Sequence, residues 1–175
     1  ANAEKDCRGS MVGINLSGKK GEMSGLETQP DFYQMVKNEE LDTTVWDWAI
    51  DPMGLEYVLR DLYTRYNKPL MITENGFGAY DTLEPDGTIH DQYRIDYIRE
   101  HIQAMKNAID YGVEVISYNP WSFIDLLSTS NGYKKRYGFV YVDRTDAEVK
   151  ECRRYKKDSF YWYQKVIGNN GTDLK

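Results

Sequence analysis

The first clear regular pattern along the sequence is an apolar stripe that begins after Pro52. Its members recur three or four residues apart, which places them on one face of an α-helix: Leu55, Val58, Leu59, Leu62, Tyr63 and Tyr66. Proline is tolerated in the first turn of a helix, whereas the tripeptide Asn67-Lys68-Pro69 interrupts one. The pattern therefore predicts a helix from Pro52 to about Tyr66.

Two further helices are predicted downstream. The first contains a second apolar stripe, and Gly112 stands where a helix commonly ends in a left-handed residue: Ile95, Ile98, Ile102, Met105 and Ile109. The second runs from about Lys156 to Ile167. We interpret its aromatic residues as packing contacts between helices: Tyr155, Tyr161, Trp162 and Tyr163.

Short apolar runs between these helices predict strands. Leu70–Thr73 ends at Glu74-Asn75-Gly76, and Val113–Tyr118 follows the second helix. Runs this short and rich in β-branched residues are typical of buried strands. The dipeptide Asn131-Gly132 predicts a hairpin turn, with Tyr137–Val142 as its return strand.

The order of these elements is helix, strand, helix, strand, helix, which is typical of βα units and a parallel sheet of the α/β class. Two buried strands do not complete a sheet that is covered on both faces, and a (β/α)8 barrel typically needs about 250 residues. We therefore predict that residues 1–175 form the C-terminal portion of a single (β/α)8 barrel domain. Its last helix and strand units would lie in 46–175.

The first 45 residues show little periodicity. Five glycines are scattered among polar and charged residues, which predicts an irregular segment or loop over 1–45: Gly9, Gly13, Gly18, Gly21 and Gly25. A structureless stretch of that length is unusual in a compact domain, which also favours a chain that is part of something larger.

The charge balance excludes some classes of partner. The chain carries 28 acidic and 22 basic side chains, a formal net charge of −6. We expect no general attraction to nucleic acid or to an anionic membrane surface, so a bound anion would need a local basic site. No apolar run reaches the roughly 20 residues of a membrane-spanning helix, and residues 1–10 lack the apolar core of an export signal.

Cysteine and histidine usage add two expectations. Cys7 and Cys152 are far apart in sequence, so we expect no disulfide framework and a reducing, cytoplasmic environment. His90 and His101 have no second ligand at metal spacing, so we expect both to lie at the surface and no metal to be bound. Nothing in the chain calls for an organic cofactor.

The strand ends hold the candidates for chemistry, because reactive groups of a barrel lie at the C-terminal ends of its strands. Glu74 follows the first predicted strand, and Trp121 follows the second. A carboxylate that attacks an anomeric carbon and an indole that packs on a sugar ring would suit a carbohydrate site. By position alone, a solvated or hydrogen-bonded glutamate is the more common interpretation.

Three motifs carry a resemblance to a known family. Ile72-Thr-Glu-Asn-Gly76 resembles the nucleophile motif of family 1 glycoside hydrolases, at the end of their seventh strand. Tyr118–Asp125 resembles their segment after strand eight, and Trp46–Pro52 their stretch before helix six. The likeness runs in order from about Trp46 to the C-terminus. It implies that Glu74 is the nucleophile of a retaining β-glycosidase and that Trp121 binds sugar.

One departure from the family pattern concerns phosphate. Where the family usually has a Glu-Trp pair after strand eight, this chain has Ser128 and Thr129. Ser128, Lys135 and Tyr137 resemble the phosphate-binding signature of the 6-phospho-glycosidases, and they supply donors and a positive charge. The resemblance implies a 6-phospho-β-glucoside as substrate. Without it, a solvated cationic patch, a loop hydroxyl and a core tyrosine would account for the same residues.

The alternatives concern sugar and activity. Thr129 stands where 6-phospho-β-galactosidases of the family typically have tryptophan, which favours gluco substrates over a galacto or dual specificity. A retaining glycosidase needs a second carboxylate, and Asn38-Glu39-Glu40 lies in the wrong place for it. We expect the 175 residues alone to be inactive and to self-associate or associate with the remaining barrel. A non-catalytic sugar-phosphate-binding or structural role is the alternative from another class.

Overall fold

The computed structural model describes residues 15, 17–22, 28–29, 33–34 and 38–175. It contains three helices and six strands in these ranges: β1 (Thr28–Gln29), β2 (Tyr33–Gln34), α1 (Pro52–Tyr66), β3 (Leu70–Asn75), α2 (Gln92–Asp110), β4 (Val115–Pro120), β5 (Val140–Val142), β6 (Arg154–Lys156) and α3 (Asp158–Gly168). The three predicted helices and the two predicted buried strands are present as α1, α2, α3, β3 and β4.

The N-terminal segment holds one short ladder that the sequence pattern did not predict. In this ladder β1 and β2 pair antiparallel, Thr28 opposite Gln34 and Gln29 opposite Tyr33. Part of the basis for predicting an irregular segment, Gly9, Gly13 and Gly25, lies outside the described residues, as does Cys7.

The sequence fixes both ends of α1. The Asp51 carboxylate accepts a hydrogen bond from the Gly54 N–H at 2.8 Å, as an N-cap does, and Pro52 occupies the first turn. At the other end Asn67 adopts a left-handed conformation, with φ of 46°, and its N–H donates to the Tyr63 carbonyl. Residue choice at the two caps therefore determines where this helix begins and ends.

A βαβ unit forms the centre of the molecule. Strands β3 and β4 are parallel neighbours and α2 connects them, as a parallel pair requires. Apolar side chains from α1, α2, β3 and the turn before β4 form one core cluster, Leu59, Ile72, Ala108 and Val113. The other face of α2 packs on α3 and the segment before β5, through Ile95, Ile98, Ile102, Phe139, Trp162 and Val166. Asn75 stands opposite Pro120, so the C-terminal ends of both strands are level.

The predicted hairpin around Asn131-Gly132 is wrong in its strand pairing. Ser128 and Gly132 do close a tight turn through two backbone hydrogen bonds of 3.2 Å. The segment before this turn, however, runs parallel to the segment after it, with Ile124 beside Val140. Strand β5 instead pairs antiparallel with β6, a partner that local turn chemistry could not reveal.

A buried group of charges joins the loops that follow both central strands. It comprises three acids and three bases, which we call the charge cluster: Asp81, Asp91, Arg94, Asp125, Arg136 and Lys157. Each of these side chains is at most 6% exposed. Buried charges persist when they are paired and hydrogen-bonded, and opposite charges here are equal in number.

Candidate active site

The ends of β3 and β4 are tied together directly. The Trp121 N–H donates a hydrogen bond of 2.8 Å to the carbonyl of Asn75, the residue after Glu74. Gly76 allows this approach, because a Cβ at that position would lie 2.0 Å from the Trp121 carbonyl oxygen. The candidate nucleophile and the candidate sugar platform therefore stand on adjacent, connected strand ends.

Glu74 is the next-to-last residue of β3, so the strand extends two residues beyond its predicted end. Its side chain is exposed. The adjacent Asn75 is fixed, because its side-chain oxygen accepts a 2.7 Å hydrogen bond from the Tyr118 hydroxyl. A carboxylate presented to solvent at a rigid strand end is able to reach a ligand placed over the sheet edge.

Trp121 directly follows β4 and is 40% exposed. Its backbone is held by Asn75, and the N–H of the next residue, Ser122, donates to the Tyr137 carbonyl at 3.1 Å. The indole face is thus available while the chain that carries it is anchored on both sides. This arrangement suits stacking against the face of a sugar ring.

Ser128 and Tyr137, two of the residues predicted to bind phosphate, lie in contact with each other. Their hydroxyl oxygens lie 3.3 Å apart, and both residues are buried. The Asn131 N–H also donates to the Ser128 hydroxyl at 3.3 Å. Burial raises the pKa of Tyr137, opposed by the hydrogen bond with Ser128, and the negative charge of Glu74 raises it further. Tyr137 therefore stays a neutral donor and lies within electrostatic reach of Glu74.

Lys135 is 2% exposed, although it belongs to the run Lys134-Lys135-Arg136. Its stem packs against Gly78, where a Cβ would lie 2.3 Å from the Lys135 Cγ. Aromatic rings surround its ammonium group, with ring centroids at 4.0 Å for Trp48, 4.9 Å for Trp46 and 5.7 Å for Tyr137. The alternative interpretation as a solvated cationic patch fits Lys134, which is exposed, but it does not fit Lys135, which is buried.

The Lys135 ammonium has no acidic partner among the described residues. Burial lowers its pKa to about 8. Burying an unpaired charge is costly, and cation–π contacts offset that cost only in part. An anion placed beside Lys135 would supply the missing counter-charge, with the hydroxyl groups of Ser128 and Tyr137 as further donors.

The two histidines differ from each other. His90 is exposed as expected, and its pKa is raised by a hydrogen bond with Asp158. The expectation for His101 is wrong, because it is 3% exposed, stacks on Tyr97 and bonds the Tyr97 carbonyl at 2.7 Å. Burial lowers the pKa of His101. Among the residues that the structure describes, no cluster of His, Cys, Asp or Glu is arranged to hold a metal ion.

Sequence reasoning missed three residues that shape this region. Trp46 and Trp48 served only as parts of a motif, yet their rings form the walls around Lys135. Arg94 went unnoticed, although it stands four residues before Ile98 and hence on the apolar face of α2. A charged residue on an apolar stripe was the signal that could have identified it.

Nowhere in the described ranges is a helix long and apolar enough to span a bilayer.

Comparison with known proteins places these features in context. The family model of glycosyl hydrolase family 1 matches residues 14–172. The chain is 51% identical over 162 residues to an aryl-phospho-β-D-glucosidase of Bacillus subtilis, covering 92% of this chain and 33% of that protein. It is 50% identical over 149 residues to a 6-phospho-β-glucosidase of Dickeya chrysanthemi, covering 85% of this chain and 32% of that protein.

The structural match agrees with these relatives. A β-glucosidase of Thermotoga maritima in complex with noeuromycin superposes with a TM-score of 0.74 and 39% identity, over 82% of this chain and 32% of that one. The chain thus spans about a third of the length of the proteins it matches. Because these structural neighbours are (β/α)8 barrels, the prediction of a barrel segment is confirmed.

Proposed function

Because the chain belongs to glycosyl hydrolase family 1, we propose that it is the nucleophile-bearing part of a retaining 6-phospho-β-glucosidase. In this proposal residues 1–175 are the C-terminal portion of one barrel domain, and β3 and β4 are its last two strands. The remaining strands would supply the second carboxylate. Relatives that are named as phospho-β-glucosidases support this choice of substrate.

The observation that carries the proposal is the buried ammonium group of Lys135, which has no acidic partner in the part of the chain that the structure describes. A neutral sugar would leave the charge of this ammonium group without a partner, whereas a sugar 6-phosphate would neutralise it. The hydroxyl groups of Ser128 and Tyr137 are both buried, and their oxygens lie 3.3 Å apart. A lysine, a serine and a tyrosine together offer one charge and two neutral donors to phosphate oxygens.

Glu74 would carry out the first chemical step. Its carboxylate attacks the anomeric carbon, the bond to the aglycone oxygen breaks, and the acid carboxyl of the remaining barrel protonates that oxygen. The covalent glycosyl-enzyme is then hydrolysed by water, which gives up a proton to the same carboxylate. The two carboxyl groups of such a pair lie about 5–5.5 Å apart. Trp121 would pack on the sugar ring during both steps.

The phosphate anchor would act at a distance from the breaking bond. Contacts to a part of the substrate that does not react supply binding energy for orienting the reactive carbon. Tyr137 links the two ends, because it contacts Ser128 and also senses the charge of Glu74. The substrate would thus be positioned between Glu74 and Lys135.

The proposed setting follows from this substrate. A phosphorylated disaccharide is charged and does not cross a membrane unaided. The enzyme would therefore act in the cytoplasm, after an uptake step that phosphorylates the sugar. Its partners would be the substrate and the rest of the barrel, with no role for nucleic acid or a membrane surface. No cofactor is required for a displacement that uses two carboxylates.

A direct test uses the full-length protein and three matched aryl β-glycosides. We expect kcat/KM for the 6-phospho-β-glucoside to exceed that for the non-phosphorylated glucoside by at least about tenfold, the equivalent of 1.4 kcal/mol. We also expect it to exceed that for the 6-phospho-β-galactoside. Equal rates with and without phosphate would refute the phosphate assignment, and no hydrolysis of any substrate would favour a non-catalytic role.

A further inference from the structure

Arg94, near the start of α2, reaches from the charge cluster to two loops of the candidate site. The residue is 1% exposed, and a single guanidinium nitrogen, Nη1, donates to two backbone carbonyls. One belongs to Phe77, three residues after Glu74, at 3.1 Å, and the other to Tyr137, at 3.2 Å. One side chain therefore connects the loop that follows the nucleophile with the segment that holds the proposed phosphate anchor.

Two carboxylates fix the orientation of that guanidinium. Its Nη2 donates to both oxygens of Asp81 at 2.9 Å, and its Nε donates to Asp91 at 2.9 Å. Burial by itself would lower the pKa of Arg94, but the adjacent carboxylates outweigh that effect and the pKa lies above its ordinary value. Arg94 is thus a charged fork that cannot rotate without breaking several buried hydrogen bonds.

The Tyr137 carbonyl is the point where the elements of the site converge. It accepts hydrogen bonds from Arg94 Nη1 at 3.2 Å and from the N–H of Ser122, beside Trp121, at 3.1 Å. The contact of Arg94 with Phe77 brings in the loop after β3. Arg94 therefore contacts the loop that follows the candidate nucleophile and the Tyr137 carbonyl, and that carbonyl is also hydrogen-bonded to the residue after Trp121.

We propose that Arg94 is a positioning residue that sets the separation between Glu74 and the phosphate anchor formed by Ser128, Lys135 and Tyr137. The inference rests on the proposed function, and it adds a residue that touches neither substrate nor phosphate. Its role is geometric: the fork holds the backbone at Phe77 and at Tyr137 in one fixed relation.

The consequence differs between substrates. A phosphorylated glucoside is held at its 6-phosphate and attacked at its anomeric carbon, so a change in the separation of the two sites misaligns the reaction. Displacement by about 1 Å can cost on the order of 100-fold in rate. A glucoside without phosphate is held only around its ring and can follow Glu74, so the same change costs it less.

The test is Arg94→Lys in the full-length protein, which keeps the positive charge and removes the fork. We expect kcat for the aryl 6-phospho-β-glucoside to fall by about tenfold or more, with KM changed by less than about threefold, because the anchor still binds phosphate. For the non-phosphorylated glucoside we expect a change in kcat below about threefold. Equal losses of kcat for both substrates would reduce Arg94 to a general structural role and overturn the proposal.

Lys157→Gln is the matched control. Lys157 belongs to the same charge cluster, but its ammonium contacts the carboxylates of Asp81 and Asp125 and, among the described residues, no backbone carbonyl. It should lower thermal stability and leave the ratio of the two kcat values unchanged. If Arg94→Lys yields no folded protein, Asp81→Asn is used instead, because it weakens the hydrogen bonds of Arg94 Nη2. A loss of kcat confined to the phosphorylated substrate would support the proposal, and equal losses for both substrates would overturn it.

The unaltered protein distinguishes a failure of the proposed function from a failure of the positioning role. If the unaltered protein shows no preference for the phosphorylated substrate, the proposed function fails. If that preference is present and Arg94→Lys lowers both rates alike, only the positioning role fails.

Discussion

The backbone N–H of Trp121 lies 2.8 Å from the carbonyl oxygen of Asn75 and donates a hydrogen bond to it. This contact joins the C-terminal ends of β3 and β4 at the level of Glu74. It depends on Gly76, whose missing side chain leaves room for the Trp121 carbonyl. The relative position of the candidate nucleophile and the candidate platform is therefore built into the backbone.

Gly76→Ala tests that dependence. Because the new methyl group would meet a backbone oxygen at 2.0 Å, the strand ends must separate. We expect a loss of about 1–3 kcal/mol in the free energy of unfolding of the full-length protein and a marked fall in kcat. Gly168→Ala at the end of α3, where nothing lies within 4 Å, should stay within about 1 kcal/mol of wild type. Equal stability of the two variants in denaturant titrations would contradict this account.

Glu74→Gly tests the nucleophile. We expect hydrolysis by the full-length enzyme to fall by roughly 10⁴-fold or more while the fold is retained, because an exposed side chain is removed from the strand end. Azide fits the vacated space and should restore part of the turnover of an activated aryl substrate. The product should be the α-glycosyl azide, identified by NMR, since only one displacement has occurred.

Glu148→Gly is the control for that experiment, because Glu148 is an exposed loop glutamate far along the chain from either strand end. It should hydrolyse the substrate at the wild-type rate and form no glycosyl azide. A Glu74→Gly enzyme that remains active, or that gives only the β-azide, would remove Glu74 from the role of nucleophile.

Lys135→Ala tests the phosphate anchor. A hydrogen bond to a charged group contributes roughly 1.5–3 kcal/mol, so kcat/KM for the 6-phospho-glucoside should fall by about 10- to 100-fold. The rate for the non-phosphorylated glucoside should change little. Lys134→Ala, which removes the exposed lysine next to it, should leave both rates nearly unchanged. Similar effects of the two alanines would indicate a diffuse cationic surface in place of a specific anchor.

Ser128→Glu tests the same anchor from the opposite direction. A carboxylate beside the phosphate would repel it, and it restores the residue type that the family usually has there. We expect the ratio of kcat/KM for phosphorylated over non-phosphorylated substrate to fall below that of Lys135→Ala. An unchanged ratio would show that Ser128 does not face the phosphate.

The pH dependence of kcat/KM reports the charge state of Lys135 in the free enzyme. Burial lowers its pKa to about 8, so the ammonium is present below that pH and is lost as the pH rises through it. We expect kcat/KM for the 6-phospho-glucoside to decline above pH 8 towards the value of Lys135→Ala. For the non-phosphorylated glucoside we expect no such decline of kcat/KM above pH 8. In Lys135→Arg, whose side chain stays charged, the decline above pH 8 should disappear. A decline that persists in this variant would assign the titration to another group.

Much of the architecture could be predicted because it depends on local signals. The apolar stripes of α1 and α2, the proline and asparagine at the ends of α1, and the short runs of β3 and β4 each express a preference of neighbouring residues. The resemblance to the 6-phospho-glycosidases singled out Ser128 and Tyr137 as candidate phosphate donors, and the fold brings their hydroxyl oxygens to 3.3 Å. The sequence by itself thus determined the three helices, the two central strands and the residue types at their ends, but not β1, β2 or β6.

Only the tertiary structure decided what surrounds each of those residues. Lys134 and Lys135 are indistinguishable in sequence, yet one is exposed and the other is enclosed by Trp46 and Trp48. The pairing of β5 with β6 and the burial of His101 were likewise decided by segments remote in sequence. Burial and pairing depend on which distant elements pack together, and that is why the buried charge of Lys135 and the fork of Arg94 appear only in the folded chain.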